Sequence, residues 1–318
     1  MQPVSPKRRI DRMLLWICPA MVVAAVVISA LAQNDTDIVR IMAYHALVVE
    51  LALLYLPARR FMEKHGGKHA FGLNRVSFAE IAWAVLLGAG AFFAATAING
   101  VTQLLLRALN ANLEQLIVAL PVAQGWRLYA LLLLTAVIPA IAEEIMFRGA
   151  LLGAWKPGGA KRALWHTALL FSLIHLEPNN LPALLFLGLV LGSVSLETGS
   201  VYPAMVIHGV NNLIAVLLSN LASAEAASDL PAAADMLPAL AIYIGFGLIL
   251  GIPSYYALRF FAKRRQEQQA ASTQAVPIPA PEPVAPERRG PFVPLTYVLM
   301  ILLNAAVVAS LFIQIPGL

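Results

Sequence analysis

Residues 128–152 read LYALLLLTAVIPAIAEEIMFRGALL. A helix needs about 20 apolar residues to cross the hydrocarbon core of a bilayer, and this run has that length. It nevertheless carries Glu143, Glu144 and Arg148. An ionisable side chain inside a membrane costs about 2.5–3.5 kcal/mol on insertion scales, so three together need a reason. Glu144 and Arg148 stand at i,i+4 on one helical face, where each can offset the desolvation of the other. Glu143 lies about 100° around the helix and is left outside that pair. A packing ion pair accounts for Glu144 and Arg148 but not for Glu143. Pro139, one turn earlier, deprives the Thr135 carbonyl of its usual donor, and a kink there can open a polar cavity. An unpaired carboxylate in a low-dielectric cavity is a stronger base than one in water.

The rest of the chain has the same solvent. Of 318 residues 60% are apolar and 12% charged, with a mean hydropathy of +0.76. Soluble domains carry about 25% charged residues, so lipid must cover much of this surface. Apolar runs recur at 13–32, 39–57, 79–99, 128–152, 163–176, 181–197, 201–220, 237–261 and 292–316. They predict an all-α polytopic transmembrane bundle of about eight to nine spans. The basic start, Met1 to Arg12, has the look of a signal peptide. The run that follows is longer than a secretory core and has no clean cleavage site, so it reads as a retained first span.

Charge orients the spans. Lys7, Arg8, Arg9 and Arg12, then Arg59, Arg60, Lys64, Lys68 and Arg75, then Lys156, Lys161 and Arg162, then Lys263, Arg264 and Arg265 fall on alternate loops. The opposite loops hold Asp35, Asp37, Glu225, Asp229 and Asp235. The positive-inside rule places the N-terminus in the cytoplasm of a multi-pass protein, and a plasma or bacterial inner membrane suits these loops. The net charge of +5 is explained in this way without nucleic acid, and no basic stretch is interleaved with aromatics. The lone Cys18 excludes an internal disulfide.

The expected organisation is a bundle over 1–263 with its motif core at 128–220. A Pro-rich cytoplasmic linker follows over 264–291, including Pro277, Pro279, Pro281, Pro283 and Pro286. A C-terminal transmembrane helix, 292–318, is read as a peripheral addition. Segment 100–125 alternates apolar residues with Arg107, Asn110, Asn112, Glu114 and Gln115, as an interfacial amphipathic helix does. Ser77 and Glu80 have the spacing of a capping box at the third span. Gly188/Gly192 and Gly247/Gly251 are spaced for close helix packing. The absence of an internal repeat weakens a transporter built from inverted halves.

Histidines supply the remaining polar groups. Phe171 precedes His175 by one turn, and His208 and Asn212 share a face at i,i+4. His45 and Glu50 lie within the second span, where they form a buried pair or line a cavity and conduct protons. His166 beside Trp165 reads as an interfacial anchor. Taken together the set suits peptide hydrolysis. A glutamate takes a proton from water, imidazoles orient that water or bind a metal, and an amide with a histidine stabilises an oxyanion.

The ordered triple of Glu143-Glu144 with Arg148, Phe171 with His175, and His208 with Asn212 resembles the CPBP family. That family comprises the CAAX prenyl endopeptidases and the bacteriocin-processing relatives called Abi proteins. Its pattern is EExxxR, then FxxxH, then HxxxN or HxxxD, each on its own helix. The resemblance spans about residues 128–220. It implies around eight transmembrane helices enclosing a cavity open to the cytoplasm. It also implies an intramembrane, glutamate-dependent endopeptidase acting near the cytoplasmic face on a membrane-associated peptide or protein. Glu143 would activate water with His175 as its partner, and His208 with Asn212 would stabilise the oxyanion. Metal dependence stays open, since Glu143, His175 and His208 can in principle ligate zinc. A non-catalytic immunity or scaffold protein on the same fold is one alternative. A proton-coupled transporter using Glu50 and Glu143 is another.

Other protease types lack their motifs. There is no HExxH, the aspartates fall outside the expected spans, and Ser193 and Ser195 sit in no G-x-S-x-G elbow. Simple topology puts His175 near the outer end of its span, followed at once by Glu177-Pro178-Asn179-Asn180. A fifth helix that starts well inside the cytoplasm would bring His175 to mid-depth and turn that break toward the cavity.

Overall fold

In a computed structural model the chain forms a helical bundle, described here for residues 6–33, 35, 37–109, 122–221, 233–273 and 292–310. In chain order the long helices are α1 (Pro6–Ala32), α2 (Ile38–Lys64), α3 (Phe78–Ala108) and α4 (Trp126–Gly158). They continue as α5 (Ala160–Leu173), α6 (Leu181–Thr198), α7 (Tyr202–Leu221), α8 (Ala233–Thr273) and α9 (Phe292–Ser310). There is no strand among the described residues. Seven helices, α1–α4 and α6–α8, are long and apolar enough to cross a membrane. The outer face is apolar, as lipid requires: α8 turns Ile242, Leu248, Ile249 and Ile252 outward, the reverse of a water-soluble helix.

Three expected boundaries move. The span at 163–176 is instead a 14-residue helix that stops at Leu173, about 21 Å long against a hydrocarbon core of about 30 Å. The third span does not end at 99, because α3 continues to Ala108. Residues 100–108 therefore extend α3 rather than belonging to a separate interfacial helix. Leu240 of α8 lies directly over Gly100, so packing between α3 and α8 continues past the expected end. Residues 110–121 lie outside the described set. Finally, α8 runs to Thr273, past the expected linker start at 264. The ion pair between Lys263 and Glu267 and the bond from Arg265 to Gln269 support its last turns at i,i+4. The proline-rich residues of the linker lie outside the described set.

Helices in lipid gain little from apolar burial alone and associate through close packing of small residues. A Cβ on Gly188 of α6 would lie 3.0 Å from Ala168 Cα of α5, and one on Gly247 would lie 3.1 Å from Ala94 N of α3. Gly90 packs on Gly251 in the same α3–α8 seam, and Gly88 packs on Ile207 and Val210 of α7. These contacts leave no room for a larger side chain, and they bring polar backbone within reach of the interior.

Polar ties fix the Lys- and Arg-rich end. Ser77 and Glu80 form the capping box of α3, and Arg265 of α8 donates to both Glu80 oxygens and to the Thr198 carbonyl of α6. Asp11, expected outside the spans, is buried within α1 and accepts a 2.8 Å bond from the Trp155 indole. At the opposite end Asp37 caps α2 through the Val39 and Arg40 amides and pairs with Arg127 of α4. Helix α9 packs on α1 and α5. The Tyr297 hydroxyl donates to the His166 carbonyl, and the Asn304 amide donates to the Leu173 carbonyl. His166 therefore joins α5 to α9 rather than serving as an interfacial anchor, and its Nδ1 stands 3.0 Å from the Tyr297 hydroxyl.

Candidate active site

Helix α4 carries two carboxylates into the bundle, and the structure gives them different surroundings. Glu144 and Arg148 form the i,i+4 pair, with Oε1 and Nη1 2.7 Å apart and both side chains fully buried. The second guanidinium nitrogen donates to the Gly188 carbonyl at 3.2 Å. The guanidinium also lies 4.5 Å over the Phe171 ring, close enough for a cation–π contact. His208 adds a contact that spacing alone did not show, since its Nδ1 stands 2.9 Å from the same Glu144 Oε1. Glu144 thus joins α4 to α7, and Arg148 joins α4 to α6.

Glu143 points elsewhere. Its side chain lines a cavity of about 340 Å³ together with His175, His45, Glu50 and Glu177. Cys18, Met21, Val22 and Ala25 of α1 and Met300 of α9 close the apolar side of this cavity. Glu143 Oε2 is buried without a hydrogen-bond partner and lies 4.0 Å from His175 Nε2. That gap exceeds a direct hydrogen bond, about 2.7–3.2 Å, so the two groups face one another without bonding.

The chain between α5 and α6 sets the position of His175. Helix α5 ends at Leu173, and residues 174–177 line the cavity. Leu176 takes a left-handed backbone, φ 54°, a conformation costing a bulky residue about 1–2 kcal/mol and commonest where function demands it. His175 Nδ1 stands 2.7 Å from the Phe171 carbonyl four residues back. As donor to that carbonyl, Nδ1 leaves Nε2 facing the cavity with its lone pair. Here lies the local reason for the FxxxH spacing. The Phe171 ring is then a hub, edge-on to His175, His208 and Phe147, between the cavity layer and the Glu144–Arg148–His208 layer beneath.

Asn212 takes an unforeseen position. Its amide donates to the Thr135 carbonyl at 3.4 Å, and Asn211 donates to its Oδ1 at 3.1 Å. Thr135 is the carbonyl that Pro139 leaves without a helical donor, and α4 widens into a π-helical turn there, Leu133–Val137. Asn212 supplies a donor to a backbone group that proline would otherwise orphan. Among the candidate residues, therefore, Glu143 and His175 share the cavity. Glu144, Arg148 and His208 form one bonded cluster behind it, and Asn212 sits one turn along α7 against α4. Among the described residues no group of three or more His, Cys, Asp or Glu side chains is placed to hold a metal ion. The set of Glu143, His175 and His208 is not assembled for one, because His208 turns to Glu144.

Fold and site together define an all-α polytopic membrane protein with a carboxylate–imidazole pair on an interior cavity. Residues 125–214 match a family model described as Rce1-like, type II CAAX prenyl endopeptidase Rce1-like, consistent with a CPBP family protease. The matched stretch holds every residue of the ordered triple and supports a CAAX-type intramembrane protease in general. No curated relative and no solved structure matches the chain.

Proposed function

We propose that this chain is a glutamate-dependent endopeptidase that cleaves a membrane-associated peptide or protein within the cytoplasmic half of the membrane. One observation carries the reading: Glu143 Oε2, buried and unpaired, faces His175 Nε2 at 4.0 Å across an interior cavity. A water held between them loses a proton to Glu143 as its oxygen attacks the scissile carbonyl carbon. His208 is held by Glu144 through Nδ1, so the oxyanion role proposed for it falls to its other ring nitrogen, Nε2. Asn212 is its companion in this scheme, using the amide hydrogen not given to Thr135. Glu143 then returns the proton to the leaving nitrogen as the C–N bond breaks. Arg148 neutralises Glu144, so that Glu143 works beside a settled charge.

The depth of the pair supports the cytoplasmic side. Glu143 lies about 18 Å along α4 from Trp155, at the Lys- and Arg-rich end, and about 26 Å from Trp126 at the other. The positive-inside rule makes the nearer end cytoplasmic. The test is a Glu143→Gln variant in liposomes, offered a farnesylated CAAX-type peptide and an unmodified apolar peptide. Cleavage should fall at least about 100-fold with an unchanged melting temperature. A Gln variant as active as the native protein ends the reading.

A further inference from the structure

Helix α2 brings a second carboxylate and a second imidazole to the same cavity, and the hydrolytic scheme above uses neither. Glu50 is 2% exposed. Its Oε1 stands 3.7 Å from His45 Nδ1, and its Oε2 is buried without a partner. Among the described residues Glu50 caps no helix and pairs with no Lys or Arg. The helix widens into a π-helix over Ala46–Tyr55 around it, a distortion found mostly at functional sites.

The titratable groups facing the cavity are Cys18 from α1, His45 and Glu50 from α2, Glu143 from α4, and His175 and Glu177 after α5. Among the described residues, helix α9 adds only Met300, and no Lys or Arg lines the cavity. Carboxylates that share a low-dielectric space with no fixed cation exchange protons as a set rather than singly. His45 is the more open of this couple, its side chain 44% exposed against 3% for Glu50.

We propose that Glu50 and His45 are the proton-exchange couple of this site, carrying protons between the Glu143–His175 pair and the cavity rim. The proposal rests on the hydrolytic reading and adds a step to it. The first proton of water goes to Glu143 and on to the leaving nitrogen. The second, released when the new carboxylic acid ionises, is taken up by Glu143 and passes through cavity water to Glu50 and then His45. Glu143 is thereby back in its base form, and no other reactant is needed. Glu50 acts through Glu143 and is a positioning residue in this scheme.

The experiment has two arms, both on the full chain in liposomes. In the first, infrared difference spectra against pH follow the carboxyl groups of the native protein and of the Glu50→Gln, Glu50→Asp and Glu143→Gln variants, with no substrate present. Glu50→Gln should remove one carboxyl signal and move the midpoint of the Glu143 signal by about one pH unit. Glu50→Asp should restore most of that shift. A Glu143 midpoint that stays in place in Glu50→Gln overturns the couple, whatever happens to stability. In the second, the pH dependence of peptide cleavage is compared for the native protein, Glu50→Gln and His45→Ala. Both variants should lower turnover about 100-fold, hold KM and alter one limb of the profile. Cleavage that survives Glu143→Gln removes the hydrolytic reading itself. Cleavage lost in Glu143→Gln with a native profile in Glu50→Gln removes only the proton couple.

Discussion

Exchanging Arg148 for Met removes the cationic half of an ion pair with no access to solvent. The structure sets the size of the effect. Arg148 meets Glu144 at 2.7 Å with both side chains 0% exposed, donates to the Gly188 carbonyl and lies over Phe171. Removing one partner of a buried pair leaves the other charge uncompensated and costs about 3–5 kcal/mol. Loss of the contact over Phe171 adds about 1 kcal/mol. Glu144→Gln should cost about 3 kcal/mol, nearer the lower end, because the Gly188 carbonyl and the Phe171 face still hold the guanidinium. The double variant carries neither charge, so its loss should fall short of the sum by about 2–3 kcal/mol. Reversible unfolding of the four proteins in mixed micelles, followed by tryptophan fluorescence, measures this cycle. Additivity within about 0.5 kcal/mol would refute the bonded pair. With it would go the account of how α4 accommodates two adjacent carboxylates.

Asn212→Leu loses the long bond to the Thr135 carbonyl and the acceptor for the Asn211 amide, so stability should fall by about 1–3 kcal/mol. Cleavage should fall by about 100-fold if the amide also serves an oxyanion; a stability loss alone would take Asn212 out of that role. Gly188→Leu places a Cβ 3.0 Å from Ala168 Cα and should cost about 1–3 kcal/mol by forcing α5 from α6. An unchanged melting temperature would contradict that close approach. Asp37 tests the opposite end of the bundle. Desolvation pushes its carboxyl up, but the Arg40 amide, the Arg127 guanidinium and the Val39 amide outweigh it and hold it below its ordinary value. A carboxyl depressed in the folded state stabilises above its unfolded pKa, and that stability is lost as pH falls through the folded value. Melting temperature should therefore drop on acidification in the native protein and drop less in Asp37→Asn.

Much of this was legible in the chain because lipid makes polarity conspicuous. Two glutamates and an arginine in one apolar run, and histidines in three others, stand out where every charge is costly. The i,i+4 partners followed from helical periodicity alone. The capping box at Ser77 followed from local spacing, as did the carbonyl left open by Pro139. Helix ends were harder to read. Between 100 and 108 the composition looks interfacial, but Gly100 receives Leu240 from a helix far along the chain. Residues 264–273 look like the start of a linker, but Arg265 is fastened to Glu80 and Thr198. Asp11 falls outside the expected first span, 13–32, yet it is buried against the Trp155 indole.

What the amino-acid order determined by itself was the solvent, the helical class and which few side chains had to be shielded from lipid, since these depend on composition and period. Only the packed bundle decided who faces whom. His208 goes to Glu144 rather than to the cavity, Asn212 answers the Thr135 carbonyl, and Glu50 joins Glu143 on one wall. Such pairings depend on the rotation and depth of separate helices, which close contacts at Gly88, Gly90, Gly188 and Gly247 establish, and spacing along a single helix carries no record of them.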